Sequence, residues 1–154
     1  MSFEARIKEM VAAVERGNAA GVRACFTPDG IYHDVFYGDF QGDGIVDMIA
    51  NYFYRDASDF RWDIYDAVEQ NGIGYARYVF SYLPKTESAA PGRTIFEGTA
   101  ICRMQNGLIA DYREIANAAV GLHGMGFNPE RLAKFIGKQG AELKARDEAA
   151  RHLN

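Results

Sequence analysis

The chain has 154 residues, a formal net charge of −4 at pH 7, 48% hydrophobic residues and 25% charged residues. These values are typical of a folded single domain with a sizeable core, and they exclude an intrinsically disordered chain. No apolar run approaches the ~18–20 residues of a membrane span. The negative charge, without a Lys/Arg cluster, argues against nucleic acid or an anionic membrane as a partner.

The sequence contains no motif that would name a metal or a cofactor. Cys25 and Cys102 lack a CxxC spacing, and the three histidines never stand at i, i+4. GxGxxG, GxxxxGK[ST] and GxSxG are absent as well, so no cofactor and no metal are expected. The first residues, MSFEARIKEM, lack a signal-peptide core, which favours a cytoplasmic location. The unusual feature is 9 Tyr, 10 Phe and 1 Trp, which suit the wall of a pocket or an interface.

Two helices are predicted at the N-terminus. Apolar residues recur at helical spacing from Phe3 to Val14. Ser2 is placed to cap this helix and Gly17 to end it. Asn18 then caps a short second helix.

A turn, a short strand and a third helix follow. Pro28-Asp29-Gly30 predicts the turn, and 31–35 predicts the strand. The glycines at 38, 42 and 44 indicate a loop, with Asp43 as the N-cap of the third helix. The apolar face of that helix is predicted to consist of Ile45, Ile49, Tyr52 and Phe53.

From position 60 the hydrophobic period changes to two, which predicts strands. Two hairpins are expected, with Asn-Gly turns at 71–72 and 106–107. The four predicted strands are 60–70, 73–83, 93–105 and 108–116, with a polar loop over 84–92. A glycine-rich stretch follows, and Asn128-Pro129 opens a C-terminal helix. The apolar stripe of that helix consists of Leu132, Phe135, Ile136 and Leu143.

This order of elements indicates an α+β fold, in which a curved antiparallel sheet wraps on helices and forms a cone with an open end. The open end is a plausible small-molecule pocket. We expect one α+β barrel domain over 1–127. The extension over 128–154 is expected to be helical and to pack on the same domain.

Two segments resemble nuclear transport factor two-like proteins. ACFTPDGIYHDVFYGDFQGDGIVDMI is similar to the region between their second and third helices, and GTAICRMQNGLIADYREI to their closing hairpin. The nearest likeness is to the SnoaL-like group, which the tail GLHGMGFNPER also resembles. The resemblance implies a cone-shaped, cystatin-like α+β barrel. This fold hosts cyclases, isomerases, dehydratases, epoxide hydrolases, cofactor-free lyases and binding modules.

The resemblance carries over only part of each known active site. The acid/base aspartate of the SnoaL cyclase falls at Glu114, and its histidine falls at Ala100. The base of ketosteroid isomerase falls at Asp34, but its oxyanion-binding residues fall at Met10 and Ala100. One histidine of scytalone dehydratase falls at Ala76. No single activity is therefore implied.

Strand alternation and the family register predict which side chains face the cone. Asp34 and Glu114 are the candidate catalytic pair, since burial raises carboxyl pKa values and suits them to acid/base work near neutrality. The alternative is a purely structural role, in which Glu114 forms an ion pair with Arg77, Arg103 or Arg113 and Asp34 only caps its loop. The candidate substrate-binding residues are Tyr32, Ile49, Tyr52, Phe53, Tyr78, Phe80, Tyr82, Ala100 and Tyr112.

The first functional hypothesis is a cofactor-independent lyase, isomerase or cyclase that acts on a small aromatic or polycyclic substrate. The alternative is a non-enzymatic ligand-binding or assembly module of the same fold. An epoxide hydrolase is third, because no arginine is predicted inside the cone. His33 is expected to point away from the pocket and His123 to lie on the glycine-rich tail. By resemblance, the chain forms a homodimer or a higher homo-oligomer through the convex face of the sheet.

Overall fold

The computed structural model describes residues 1–87, 89 and 91–153, and it begins with the two predicted helices. Helix α1 spans Phe3–Glu15, and α2 spans Ala19–Ala24. The Ser2 hydroxyl accepts from the Ala5 N–H at 3.2 Å and caps α1. The side-chain oxygen of Asn18 accepts from the Gly21 N–H at 2.9 Å and caps α2. Both caps therefore satisfy backbone donors that the first turn of a helix leaves free.

Six strands form one sheet in the order β2-β1-β6-β5-β4-β3. Their bounds are β1 Phe26–Asp34, β2 Gly38–Gln41, β3 Ala57–Gln70, β4 Ile73–Pro84, β5 Thr94–Gln105 and β6 Leu108–Ala116. Both Asn-Gly turns have positive φ at both residues, as a two-residue hairpin turn requires. The α+β fold with a curved sheet is confirmed. Four of the five strand pairings are antiparallel, but β1 and β6 are parallel.

Two predictions near β1 are wrong. The Pro28-Asp29-Gly30 segment is not a turn but lies inside β1, where the pairing register with β6 shifts between Phe26 and Ile31. Such a bulge accommodates proline and glycine because the ladder is interrupted there. The predicted loop over 38–44 contains β2, which pairs with β1.

The third helical segment is α3 (Gly44–Asp47), a π-helical turn (Met48–Phe53) and α4 (Tyr54–Asp56). The π turn has i→i+5 bonding, so its buried face differs from that of a regular helix. Met48 is fully buried, whereas Tyr52 is only partly buried. Asp43 precedes α3 but makes no capping bond, and its carboxylate lies 3.1 Å from Nε of Arg23.

Helix α5 (Ala118–Gly124) occupies the glycine-rich stretch, where no helix was predicted. Helix α6 (Pro129–Lys144) begins as predicted, with the Asn128 side chain accepting from the Arg131 N–H at 2.9 Å. A 3₁₀ turn spans Asp147–His152. None of the helices in the described part of the chain is long and apolar enough to cross a membrane.

The predicted apolar stripe of α6 is not a core face, because α6 has no fully buried residue. Leu132 and Phe135 are partly buried, while Ile136 and Leu143 are 53% and 50% exposed. The core instead lies between α1, the third helical segment and the inner face of the sheet. Helix α6 is consequently a surface element. Its Phe135 ring stacks on the ring of Phe36, with 5.8 Å between the ring centroids.

Candidate active site

A cavity of about 360 Å³ opens between the inner face of the sheet and the helices. Pockets for small molecules have volumes of about 300–1,000 Å³, so a small organic ligand fits. The walls of the cavity are mainly aromatic side chains. Seven of the predicted site residues line it: Tyr32, Asp34, Phe53, Tyr78, Phe80, Tyr82 and Glu114.

Parallel pairing of β1 and β6 brings the two candidate carboxyls to one place. Tyr32 of β1 stands in register with Tyr112 of β6. Asp34 and Glu114 each follow two residues later, so both carboxyls extend from the same face of adjacent strands. The cavity reaches both side chains. The register therefore brings both side chains to one cavity, and a catalytic role for them stays a prediction.

Glu114 is held by two tyrosine hydroxyls. Tyr78 donates to Oε2 of Glu114 at 2.6 Å, and Tyr112 donates to the same oxygen at 3.1 Å. The pKa of Glu114 is raised from 4.5 to about 7, mainly by burial and then by the Asp34 charge, while the bonds from Tyr78, Tyr112 and the Val35 backbone act in the opposite direction. Arg77 bonds to Asp66 and Arg113 to Asp111. Neither Arg77 nor Arg113 is thus the ion-pair partner of Glu114 that a purely structural role would require.

Asp34 caps its loop and faces the cavity as well. Its Oδ1 accepts from the N–H of Phe36 at 2.9 Å and from that of Tyr37 at 3.0 Å. The pKa of Asp34 is raised from 3.8 to about 6 because burial outweighs the opposite effect of the two backbone donors. Because both backbone bonds use Oδ1, capping and a chemical role are compatible in this side chain.

The tyrosines beside Glu114 remain protonated near neutrality. Burial, followed by the charge of Glu114, raises the pKa of Tyr78 and of Tyr112 above the ordinary tyrosine value. Burial likewise raises the pKa of Tyr32, whose ring stacks on that of Tyr112 at 4.3 Å between centroids. These hydroxyls are consequently hydrogen-bond donors at the pH at which the carboxyls titrate.

Four predicted substrate-binding residues do not line the cavity. Ile49 and Ala100 are fully buried in the core, and Tyr112 lies beneath the cavity, bonded to Glu114. Tyr52 packs against Phe40 and against Tyr37, which itself lines the cavity. The π turn explains Tyr52, because it changes which residues of the segment share a face.

Several lining residues were missed by the sequence analysis. Phe96 shares its face of β5 with Ala100, so strand alternation could have identified it. Phe60 and Trp62 of β3 alternate in the same way. The roof of the cavity, which we define as Leu122, Met125, Phe127, Arg131 and Phe135, was not among the predicted binding residues, although Phe135 belongs to the predicted apolar stripe of α6. The roof belongs to α5, α6 and their linker, and α5 was not predicted.

Polar groups near the cavity include one arginine at its mouth. Arg131 is exposed, and its guanidinium lies 3.7 Å from the centroid of the Phe127 ring. His33 lies between Asp39 (Nδ1, 2.7 Å) and Asp111 (Nε2, 3.1 Å) and does not line the aromatic cavity. It lines a second cavity, of about 740 Å³, which Asp34 and Glu114 also reach. His123 is exposed on α5. No group of three or more His, Cys, Asp or Glu side chains among the described residues has a metal-binding arrangement.

Gly98 supports the bond between Tyr78 and Glu114. A Cβ at position 98 would lie 2.5 Å from the Tyr78 hydroxyl oxygen and 2.9 Å from the Ile115 carbonyl. We expect Gly98→Ala to displace Tyr78 and to lower the free energy of unfolding by about 1–3 kcal/mol, the usual cost of overpacking. Denaturant unfolding measures this. The control is Gly137→Ala in α6, where a Cβ would meet nothing within 4 Å. Equal stability of the two variants would contradict the assignment.

Comparison with known families gives one sequence match. The model of the SnoaL-like domain matches residues 7–112. No curated relative matches the chain in sequence.

Solved structures share the fold at low identity. A hypothetical protein with a ketosteroid isomerase-like fold from Catenulispora acidiphila, in complex with trimethylamine, has a TM-score of 0.72 and 18% identity, over 80% of this chain and 93% of that one. IdmH, a proposed polyketide cyclase from Streptomyces antibioticus, has a TM-score of 0.65 and 15% identity, over 80% of this chain and 98% of that one. An LEH-like epoxide hydrolase from M. tuberculosis has a TM-score of 0.63 and 14% identity, over 79% of this chain and 86% of that one. At these identities the likeness is one of fold.

Proposed function

The chain belongs to the SnoaL-like domain family, and we propose that it is a cofactor-independent acid/base enzyme with Asp34 and Glu114 as its catalytic pair. One observation carries the proposal. Two carboxyls with raised pKa values share an aromatic cavity, and one of them is held by two tyrosine hydroxyls. Two proteins of similar fold are named as an epoxide hydrolase and as a proposed polyketide cyclase, which supports a catalytic use of this cavity.

The proposed chemistry is proton transfer to and from carbon or oxygen. Near pH 6.5 a pair with values of about 6 and 7 holds roughly one proton between its members. The ionised member removes a proton from the substrate, and the protonated member returns one elsewhere. Tyr78 holds Glu114 in position throughout. Isomerisation, cyclisation and lyase reactions through an enol all use this exchange.

The proposed substrate is a small aromatic or polycyclic compound. Phe60 stacks on Phe80 at 5.8 Å between centroids, and Trp62 lies 4.9 Å from Phe80. Flat apolar walls of this kind favour a planar ligand. The volume of about 360 Å³ limits its size.

Solvent deuterium exchange tests the proposal without knowledge of the natural substrate. The protein is incubated in D₂O with EDTA and aromatic ketones such as 2-tetralone and 1-indanone, and loss of the α-proton signal is followed by NMR. An acid/base enzyme accelerates exchange of a bound ketone well above the buffer rate. Thermal shift identifies which ketones bind, since a ligand of the native state raises the melting temperature.

The outcomes separate the two hypotheses. Accelerated exchange of at least one bound ketone supports the enzyme. Binding of several ketones without accelerated exchange of any of them overturns the enzyme and favours the non-enzymatic binding module.

A further inference from the structure

The charge inside the cavity is unbalanced. Asp34 and Glu114 both line it, whereas Arg131 is the one basic residue among its described lining residues. Arg131 is exposed at the mouth, with its guanidinium over the Phe127 ring. Asp56, at the rim, already has a partner in Arg55, 2.6 Å away. Asp34 and Glu114 also line the second cavity, of about 740 Å³, whose basic residues are His33, Arg103, Arg113, Lys138 and Arg146. None of the described ion pairs joins one of these basic residues to Asp34 or to Glu114. Among the described ion pairs, neither carboxyl therefore has a cation partner.

Aromatic rings surround the same space. Trp62 packs against both Tyr78 and Phe80, at 5.7 and 4.9 Å between centroids. Phe96 lies 5.4 Å from Phe80. The face of such rings attracts a cation, and the attraction strengthens where water is excluded. Aromatic faces and unpaired carboxyls in one cavity both favour a cation over a neutral group.

We infer that the ligand of this cavity carries a positively charged amine, a tertiary or quaternary ammonium on an apolar frame, held by the aromatic rings and the two carboxyls. The inference rests on the proposed function in treating the cavity as a ligand site. It narrows the aromatic substrate class to compounds with a basic nitrogen. Buried charges in proteins are normally paired, and the ligand supplies the missing partner.

Binding of a cation has a measurable consequence for protons. A positive charge beside a carboxyl favours the ionised form, so binding releases protons from Asp34 and Glu114. The hydroxyls of Tyr32, Tyr37, Tyr78 and Tyr82 line the same cavity, and Tyr112 and Cys102 lie beside Glu114. Burial raises the pKa of each of these six groups, that of Tyr82 to about 12. Arg55 lowers the pKa of Asp56 at the rim. The second cavity, which Asp34 and Glu114 also line, contains His33, Asp39, Asp111, Glu142 and Glu148. Comparison of the wild type with Glu114→Gln therefore identifies the protons that the carboxyl pair releases.

A pair of isosteric phenols tests the inference. 3-Hydroxyphenyltrimethylammonium and 3-tert-butylphenol have nearly the same shape and differ in charge. Isothermal titration calorimetry at pH 7, where both phenols are protonated, measures both dissociation constants. We expect the cation to bind at least tenfold more tightly than the neutral phenol. We also expect its affinity, but not that of the neutral phenol, to fall about tenfold from pH 7 to pH 5.

Proton release is measured on the wild type and on Glu114→Gln, by titrating the cation at pH 6.5 in two buffers of different ionisation enthalpy. Glu114→Gln is expected to reduce the preference for the cation, and Glu97→Gln is the matched control on the exposed side of β5. Equal or tighter binding of the neutral phenol, or binding of neither phenol, overturns the inference. A preference for the cation in a protein that exchanges no ketone overturns only the proposed catalysis. Ketone exchange without the preference overturns only this inference.

Discussion

Replacing Glu114 by glutamine is expected to reduce turnover, measured as ketone deuterium exchange, by about a thousandfold, within the 10²–10⁴-fold contribution typical of a positioned acid or base. Glutamine has nearly the shape of glutamate and keeps an oxygen that can accept from Tyr78 and Tyr112. It cannot take up or release the proton. Affinity for a neutral ligand is expected to stay within a few-fold, because the lost interaction belongs to the transition state.

Asp34→Asn provides the parallel test. Asparagine retains an oxygen for the N–H groups of Phe36 and Tyr37, so the loop keeps its cap while the carboxyl chemistry is lost. Glu97→Gln, on an exposed position of β5, is the control and should leave exchange unchanged. If Glu114→Gln exchanged ketones at the wild-type rate, the catalytic assignment of Glu114 would be wrong.

The second large effect is on stability and its dependence on pH. The pKa of Glu114 is about 7 in the folded chain, against an ordinary value of 4.5. Between these values the folded protein retains a proton that the unfolded chain has lost. The free energy of unfolding therefore falls as the pH rises from about 4.5 to 7, and it is lowest above pH 7. A difference of about 2.5 pKa units corresponds to a contribution on the order of 3 kcal/mol.

Glu114→Gln removes that proton linkage. The variant is expected to be more stable than the wild type at pH 8, by on the order of 3 kcal/mol, and to lose this advantage near pH 4. Asp34, whose pKa is raised from 3.8 to about 6, adds a second contribution of the same sign in the wild type. Urea unfolding at pH 4, 6 and 8 measures the difference, with Glu97→Gln in parallel. A Glu114→Gln variant less stable than the wild type at pH 8 would contradict a buried carboxyl with a raised pKa.

The four hairpin strands could be predicted from the sequence because their signals are local. The Asn-Gly turns at 71–72 and 106–107 locate two hairpins, and the observed strands β3 to β6 end within a few residues of the predicted ones. The pairing of Asp34 with Glu114 needed the family register in addition to strand alternation, because the parallel pairing of β1 with β6 has no local signal. Strand alternation likewise places Tyr78 on the same face of β4 as Phe80. The bond from Tyr78 to Glu114, however, depends on the space left by Gly98, the residue paired with Tyr78 on β5.

The remaining features depend on contacts that a local pattern does not contain. The π turn of Met48–Phe53 has no sequence signature, so Tyr52 was predicted to face the cavity and does not. Glycines at 121 and 124 argued against a helix that tertiary packing nonetheless forms. A Cβ at Gly121 would lie 2.7 Å from the Phe96 ring, so the absence of a side chain there lets α5 approach β5. Without α5, the roof of the cavity could not be predicted.

The roof residues and the two carboxyls lie in parts of the chain that contribute differently to the hydrophobic core. Asp34 and Glu114 stand on strands whose neighbours form the core, so changes around them disturb the whole domain. Phe135 and Arg131 stand on α6, which has no fully buried residue. Variation in α6 therefore alters which molecules fit at little expense in stability. Substitutions in α6 therefore change the shape of the roof of the cavity while the carboxyl pair on β1 and β6 stays in place.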